Sequence, residues 1–356
     1  PFTSVQESGL ILSTLGNDEL TYEKKTEFNL GIDLGFLENR INVAMDVYTR
    51  DNHDLIGTTR TQGVGGEIAK FANIASMKSH GFELSVSSNN IKTKDFSWNT
   101  DFIYSIYKNE VTDLNAIATT MDYVSGTGFT MVGYPHRGLF SIPFAGLDSN
   151  GIPMFYNEKG EITSTDLSFQ SSDDFSWLKY EGPTEPTFTG SLGNSFTYKN
   201  VHLNVFFTYS GGNVVRLDPV FSYRYSDLTA TTREFKNRWM VPGDENRTNV
   251  PTILSYRQYY ENAELRNAYS AYNYSTERVA KGGFIRLKEI SVAYDFPKKW
   301  LSALKVSNVS LKLQATNLCL LYADKKLNGQ DPEFVNSGGV ASPVPRQFTM
   351  TLRLGL

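Results

Sequence analysis

Apolar and polar side chains alternate with a period of two along almost the whole chain, and that period admits β-strands and little else. It is plainest near the end, where Phe348, Met350, Leu352, Leu354 and Leu356 interleave with Thr349, Thr351, Arg353 and Gly355. Phe28, Leu30, Ile32, Leu34 and Phe36 alternate with Asn29, Gly31, Asp33 and Gly35; after Glu38 and Asn39, Ile41, Val43, Met45 and Val47 alternate with Asn42, Ala44, Asp46 and Tyr48. That pair reads as a hairpin with a tight turn. Phe82, Leu84 and Val86 followed by Phe96, Trp98, Phe102, Tyr104 and Ile106 predict a second hairpin, and the runs on either side of Lys199 and Asn200 a third. Ile290, Val292, Tyr294 and Phe296, then Val309, Leu311, Leu313 and Ala315, then the final run complete a set of nine long strands.

A soluble sandwich also alternates, so the composition of each face decides between the two. The polar face carries Asp33, Asp46, Glu83, Asp101, Lys312 and Arg353 in mid-strand, and the apolar face gathers aromatics near the strand ends. A wet lumen inside and an aromatic girdle at each membrane interface have this pattern. The 20 Tyr and 23 Phe among 356 residues exceed what a soluble core usually needs, while mean hydropathy is only −0.33. A helical membrane protein needs apolar runs of about 20 residues, and the sequence has none. The reading is an all-β, antiparallel transmembrane β-barrel.

No linker separates two cores, so residues 1–356 read as one barrel unit whose non-strand stretches are loops. The two longest run from about Asn115 to Lys179 and from about Leu217 to Ala280, too long to be bare connections. Thr232 to Trp239 reads as a short helix. A net charge of −4 gives no basic footprint for nucleic acid. Cys319, the single cysteine, lies in a strand and reads as a small packed side chain. His53, His80, His136 and His202 lack ligand spacing, and neither G-x-S-x-G nor a P-loop occurs. The sequence makes no case for an enzyme, a metal or a cofactor.

A series of motifs then narrows the reading. Asn17-Asp18-Glu19-Leu20-Thr21-Tyr22-Glu23-Lys24 precedes the Phe28 hairpin, Asp46-Val47-Tyr48 and Asp54-Leu55-Ile56, and Asn73 to Leu84 follows. Next come Phe144-Ala145-Gly146-Leu147-Asp148, Asn237-Arg238-Trp239 with Pro242-Gly243-Asp244, and Phe284 to Ser291. Asn317-Leu318, Asp331-Pro332-Glu333 and Pro345-Arg346 close the series. In order and spacing the chain resembles the SusC/RagA family of TonB-dependent outer-membrane transporters. It departs from the family in ending at Leu356 where an aromatic is usual, and in Met240 and Cys319. Pro1-Phe2-Thr3 looks like an interior start with no signal peptide.

The resemblance implies the C-terminal part of a 22-stranded barrel with long extracellular loops, the plug domain, TonB box and N-terminal strands being absent from residues 1–356. It implies an integral protein of the Gram-negative outer membrane that imports nutrient oligomers, oligosaccharides first and oligopeptides as the alternative. The implied partners are a SusD-like surface lipoprotein, TonB through the absent region, and outer-membrane lipid, with a dimer of such pairs as an assembly. A passive porin and a surface adhesin are the competing classes. Trp177, Tyr223, Tyr225, Tyr256, Tyr259 and Tyr260 in the loops suit substrate or lid contact, and Asp33, Asp46, Asp101 and Arg353 are expected to face the lumen.

Overall fold

A computed structural model of the chain describes residues 16–61, 63, 68–126, 128–170, 174–220, 232–301, 306–335 and 345–355. The alternating segments become nine strands: β1 (Lys24–Phe36), β2 (Ile41–Arg60), β3 (Ala69–Lys92), β4 (Phe96–Leu114), β5 (Phe188–Tyr198), β6 (Val201–Gly211), β7 (Phe284–Asp295), β8 (Asn308–Tyr322) and β9 (Gln347–Gly355). They form one sheet in chain order, each antiparallel to its predecessor.

Register makes the faces continuous. Leu34, Val43, Val86, Phe102, Leu192, Phe207, Leu287 and Cys319 sit opposite one another across eight strands, giving an unbroken apolar row. One residue along, Gly35, Asn42, Ser87, Asp101, Gly193, Phe206, Glu289, Thr316 and Gln347 make a mostly polar row on the other face across all nine. A one-residue slip at any ladder would exchange the faces, so the apolar band itself enforces the register. Cys319 corrects the sequence reading: it is exposed on the apolar face rather than packed.

Two rows of aromatics bound the band. Phe96, Tyr198 and Tyr294 share the lower row, and Tyr104, Tyr209 and Tyr322 the upper. On β7 nine residue steps separate Tyr294 from Ile285 of the upper row. At about 3.3 Å per residue and a tilt of about 40°, that spans about 23 Å, close to the ~25 Å apolar band of outer-membrane barrels. Polar side chains that reach the apolar face near the lower row bond one another. Ser88 Oγ donates to Asn90 Oδ1 (2.9 Å) and Asn90 Nδ2 to Thr100 Oγ1 (2.7 Å), while Thr100 Oγ1 and Trp98 Nε1 both donate to Asn194 Oδ1 (2.8 and 2.9 Å).

Connections at the lower end are short: 37–40, 93–95 and 199–200, with a longer fourth at 296–307. The first turns on three successive left-handed residues, Leu37, Glu38 and Asn39. The upper end carries a short connection at 61–68 and three long ones at 115–187, 212–283 and 323–346. Outer-membrane barrels divide their connections in this way, short toward the periplasm and long outside. Crossing takes about 9–11 residues per strand, so β2, β3 and β4, with 20, 24 and 19 residues, rise well above the upper row.

Two tyrosines lie over glycines directly across a ladder. Tyr48 covers Gly81 on the polar face and Tyr209 covers Gly190 on the apolar face, where its hydroxyl donates to Ile103 O (2.9 Å). A Cβ at either glycine would fall within the ring above it. β1 is exposed along its whole length and β9 along nearly all of it, and as the two edges of the sheet each pairs on one side only.

Leu313 lies on the apolar face two residues above the lower aromatic row, opposite Val292 and Met350, and is 52% exposed. Replacing it with Arg is expected to lower the unfolding free energy in lipid vesicles by about 1–2 kcal/mol, between the midplane and interfacial costs, read from a urea transition. Gln314→Arg, on the polar face, is expected to leave that transition nearly unmoved.

Candidate functional site: the loop domain and the polar face

Most of the buried apolar residues lie above the membrane band. Segments 115–187 and 212–283 fold against each other around Tyr123, Val124, Phe140, Ile142, Phe155, Phe235, Ala268, Ala271 and Tyr272. The first contributes helix α1 (Thr120–Val124), a strand pair of Gly138–Ser141 with Lys179–Pro183, and a three-stranded sheet of Phe144–Leu147, Pro153–Tyr156 and Ile162–Thr163. The second contributes α2 (Tyr256–Glu261), α3 (Ala263–Asn273) and a strand pair of Val214–Arg216 with Val279–Lys281. α3 buries Ala268, Tyr269, Ala271 and Tyr272, spaced to share one helical face. Tyr269 donates its hydroxyl to Thr252 O at 2.6 Å, and burial raises the pKa of both Tyr269 and Tyr272. Thr232 to Trp239, read as a helix, forms a 3-10 turn over Arg233–Asn237 that inserts Phe235 into this core.

Three buried arginines join the pieces. Arg216 Nη1 donates to Ser141 Oγ (3.1 Å) and Ser275 O (2.8 Å), and Nη2 to Val124 O (3.1 Å) and Phe140 O (2.7 Å), so one guanidinium binds both long segments. Burial draws its pKa down to about 10, which leaves it charged at neutral pH. Arg278 pairs with Glu234 and donates to Asp218 O (2.6 Å). Arg286, on the polar face of β7, holds both oxygens of Asp331 at 2.6 Å and Glu333 at 2.7 Å, tying segment 323–346 to the barrel wall. The sequence reading did not single out Arg216 or Arg278. An arginine inside the apolar run Val214-Val215-Arg216-Leu217 was the available signal.

The motif series falls on similar joints. Asp148 Oδ1 accepts from Asn150 N and Ile152 N (both 2.8 Å), shaping a turn whose Gly151 lies under the Trp239 ring. Trp239 Nε1 donates to Glu245 Oε2 (2.9 Å), and with the backbone donors of Glu245 and Gly243 this holds the Glu245 carboxyl below the usual carboxylate range. Asn317 takes a left-handed conformation where β7 and β8 slip register, a position that tolerates Asn better than most residues.

The residues nominated from sequence separate into groups. Trp177 packs against the loop core with its indole N–H buried and unbonded among the described residues. Tyr256, Tyr259 and Tyr260 are all on α2, where Tyr260 is 39% exposed beside an Arg257–Glu261 ion pair at 2.8 Å. The description of Tyr256 and Tyr259 extends to the backbone only. Tyr223 and Tyr225 lie outside the described residues. Asp33, Asp46, Asp101 and Arg353 are on the polar face, paired across their ladders with Ala44, Gly31, Ser87 and Ser310. They are spread along the wall and make no single constellation. Among the described residues no cluster of His, Cys, Asp and Glu could hold a metal ion.

A cleft of about 610 Å³ opens between the top of the polar face and the loops. Thr189, Thr208, Ser210 and Lys288 line it from the wall, Arg137 and Glu185 from the first loop, and Glu333 from segment 323–346. It offers hydroxyls and both signs of charge to a hydrated solute.

A wall of this kind, roofed by a loop domain with its own core, has the architecture of part of an outer-membrane β-barrel. The RagAB peptide transporter superposes with a TM-score of 0.72 over 97% of this chain and 36% of that one at 21% identity. The RagAB peptide importer in its open-open state gives 0.74 over 98% and 36%, at 22%. In sequence the chain is 28% identical over 372 residues to the TonB-dependent receptor SusC of Bacteroides thetaiotaomicron, covering 96% of this chain and 32% of the relative. It is 26% identical over 353 residues to TonB-dependent receptor P3 of Formosa agariphila, covering 92% and 32%. No family model matches. The chain matches the barrel portion of SusC-like TonB-dependent receptors, integral proteins of the outer membrane rather than enzymes. It spans about a third of the length of the curated relatives it matches.

Truncating Arg286 to Ala leaves the Asp331 carboxylate buried without its partner, and breaking such a pair costs about 3–5 kcal/mol. Segment 323–346 is expected to become protease-sensitive and to lose amide protection while the strands stay protected. The double variant Arg286→Met with Asp331→Leu is expected to restore much of that protection.

Proposed function

We propose that the intact protein imports nutrient oligomers across the outer membrane, energised through TonB, as the barrel of a pair with a SusD-like surface lipoprotein. The carrying observation is the division of the sheet into a continuous apolar face and a charged, hydroxyl-bearing face roofed by folded loops: a solute path insulated from lipid and closed above. In this reading residues 1–356 form the C-terminal part of a 22-stranded barrel, and a plug and TonB box lie in sequence outside them. Asp33, Asp46, Asp101 and Arg353 wet the lumen wall. Helix α2, which carries Tyr256, Tyr259 and Tyr260, meets the lipoprotein lid, and Trp177 stiffens the loops beneath it. A dimer of such pairs is the assembly.

The substrate is an oligosaccharide in the primary reading, bound by hydroxyl hydrogen bonds and ring stacking. An oligopeptide is the second, favoured by the opposed charges of the cleft, where Arg137 and Lys288 face Glu185 and Glu333. Peptides carry both charges at their ends and so compete for the partners of the Arg137–Glu185 (3.6 Å) and Arg286–Glu333 (2.7 Å) ion pairs, which a neutral glycan would leave intact.

Deleting the gene is expected to abolish growth on one complex polymer while growth on its monomers continues, and loss of the TonB box alone should reproduce the defect. A defect on polysaccharide supports the glycan, one on protein digests the peptide. Growth that survives loss of the TonB box but not of the barrel would identify a passive porin. Removing α2 is expected to reduce recovery of the surface lipoprotein in pull-downs while the barrel stays heat-modifiable on gels; undiminished recovery would detach α2 from the lid.

A further inference from the structure

An apolar groove of about 510 Å³ interrupts the upper aromatic row where β5 to β8 meet the loop domain. Phe188, Tyr209, Ile285 and Tyr322 line it from the strands, and Val214 and Lys281 from the loop pair above. The strand residues belong to the face that carries the apolar band, so the groove continues the lipid-facing surface upward. Glycines let the chains meet closely at its floor. A Cβ at Gly283 would press on Gly211 Cα and Ser210 O at 3.2 Å, and Gly212 is left-handed at φ 84°. Ile285 and Tyr322 are 42% and 52% exposed within it.

Its level fixes the medium it meets. The Tyr209–Ile285–Tyr322 row is the upper girdle, on the side of the long loops, so it lies where the outer leaflet's acyl chains meet their headgroups. Lys281 stands at that height, exposed. The neighbouring Asp324 carboxylate accepts from the backbone of Lys281 (2.8 Å) and of Lys326 (2.9 Å). The Lys281 ammonium has no carboxylate partner among the described residues, and exposed Lys325 follows on the turn that packs against the same strand. An acyl-sized apolar groove opening into the bilayer, with an unneutralised ammonium at headgroup height, matches a lipid bearing an anionic phosphate.

We propose that this groove is a binding site for a phosphorylated outer-leaflet glycolipid, one acyl chain lying along Phe188, Tyr209, Ile285 and Tyr322 and the phosphate resting on Lys281. The occupant is a lipid rather than free phosphate because the lining is chiefly apolar. The strand side chains that line it face lipid, while Ser210, Asn213 and Phe284 border both this groove and the cleft on the polar face; a bound lipid braces the junction of β6 and β7 with the loop pair above them.

The test uses the complete transporter purified from outer membranes, exchanged into detergent and probed by native mass spectrometry with monophosphoryl lipid A, the same lipid dephosphorylated, and inorganic phosphate. The wild type is expected to retain one monophosphoryl lipid A with about fivefold preference over the dephosphorylated form, the effect of a single lysine near a membrane surface. Lys281→Gln is expected to erase the preference and Tyr322→Ala to weaken both lipids, while Lys94→Gln, in a turn at the other end of the barrel, changes neither. Equal binding of the two lipids by the wild type, preference surviving Lys281→Gln, or competition by inorganic phosphate alone would overturn the site. So would a photocrosslinker at Tyr322 that captures a protein instead of lipid in intact outer membranes.

Discussion

Inside a bilayer no water satisfies a backbone N–H or C=O, so every such group in the wall must find its partner on an adjacent strand. The rest of this structure depends on that requirement. It explains why strands pair in strict chain order, since a hairpin satisfies half of each strand's groups with the least loop closure. Polar side chains astray on the apolar face, Ser88, Asn90, Thr100 and Asn194, likewise spend their capacity on one another.

The wall needs no hydrophobic core, because lipid takes the place of one. The loops meet water and do need one, and they build it from two segments separated by β5, β6 and their turn, residues 188–211. Arg216, Arg278 and Arg286 are the fastenings. Each is an arginine because a planar guanidinium can reach several acceptors at once, as Arg216 reaches a hydroxyl and three carbonyls, where an ammonium would serve fewer directions. Burial without a matching acceptor set would be prohibitive; carbonyl oxygens at segment ends provide one.

The wall was legible in the sequence because strand periodicity and membrane partition act on the same residues: Leu30, Val43, Leu203 and Leu352 are apolar for both reasons. The loop domain was not. Its contacts depend on distant segments, so Phe140, Phe155 and Tyr272 carry no local pattern that marks them as core, and Trp177 resembled a surface platform as much as a packed ring. The motifs sat between these cases. Arg286 and Asp331 each stood inside a motif, yet only the fold shows that the two are one ion pair. Strand β3 marks the limit within the wall itself: alternation was read from Phe82 to Val86, whereas its upper half is held by pairing with β2 and β4 through two bulged ladders.

The two-segment loop core sets an order of events in assembly. Ile142 bridges Ser275, and Arg216 reaches Val124, so the contacts between the two segments close only when β4 through β7 stand side by side. Local hairpins form early and cheaply, while contacts between residues far apart in the chain wait on them. Residues of segments 115–187 and 212–283 that meet across the core, such as Phe144 and Tyr272, therefore find one another only after the wall beneath them has paired. Maturation of the mouth is then the last step in building the barrel, and a barrel with a complete wall and an unformed mouth is the intermediate that such an order leaves exposed.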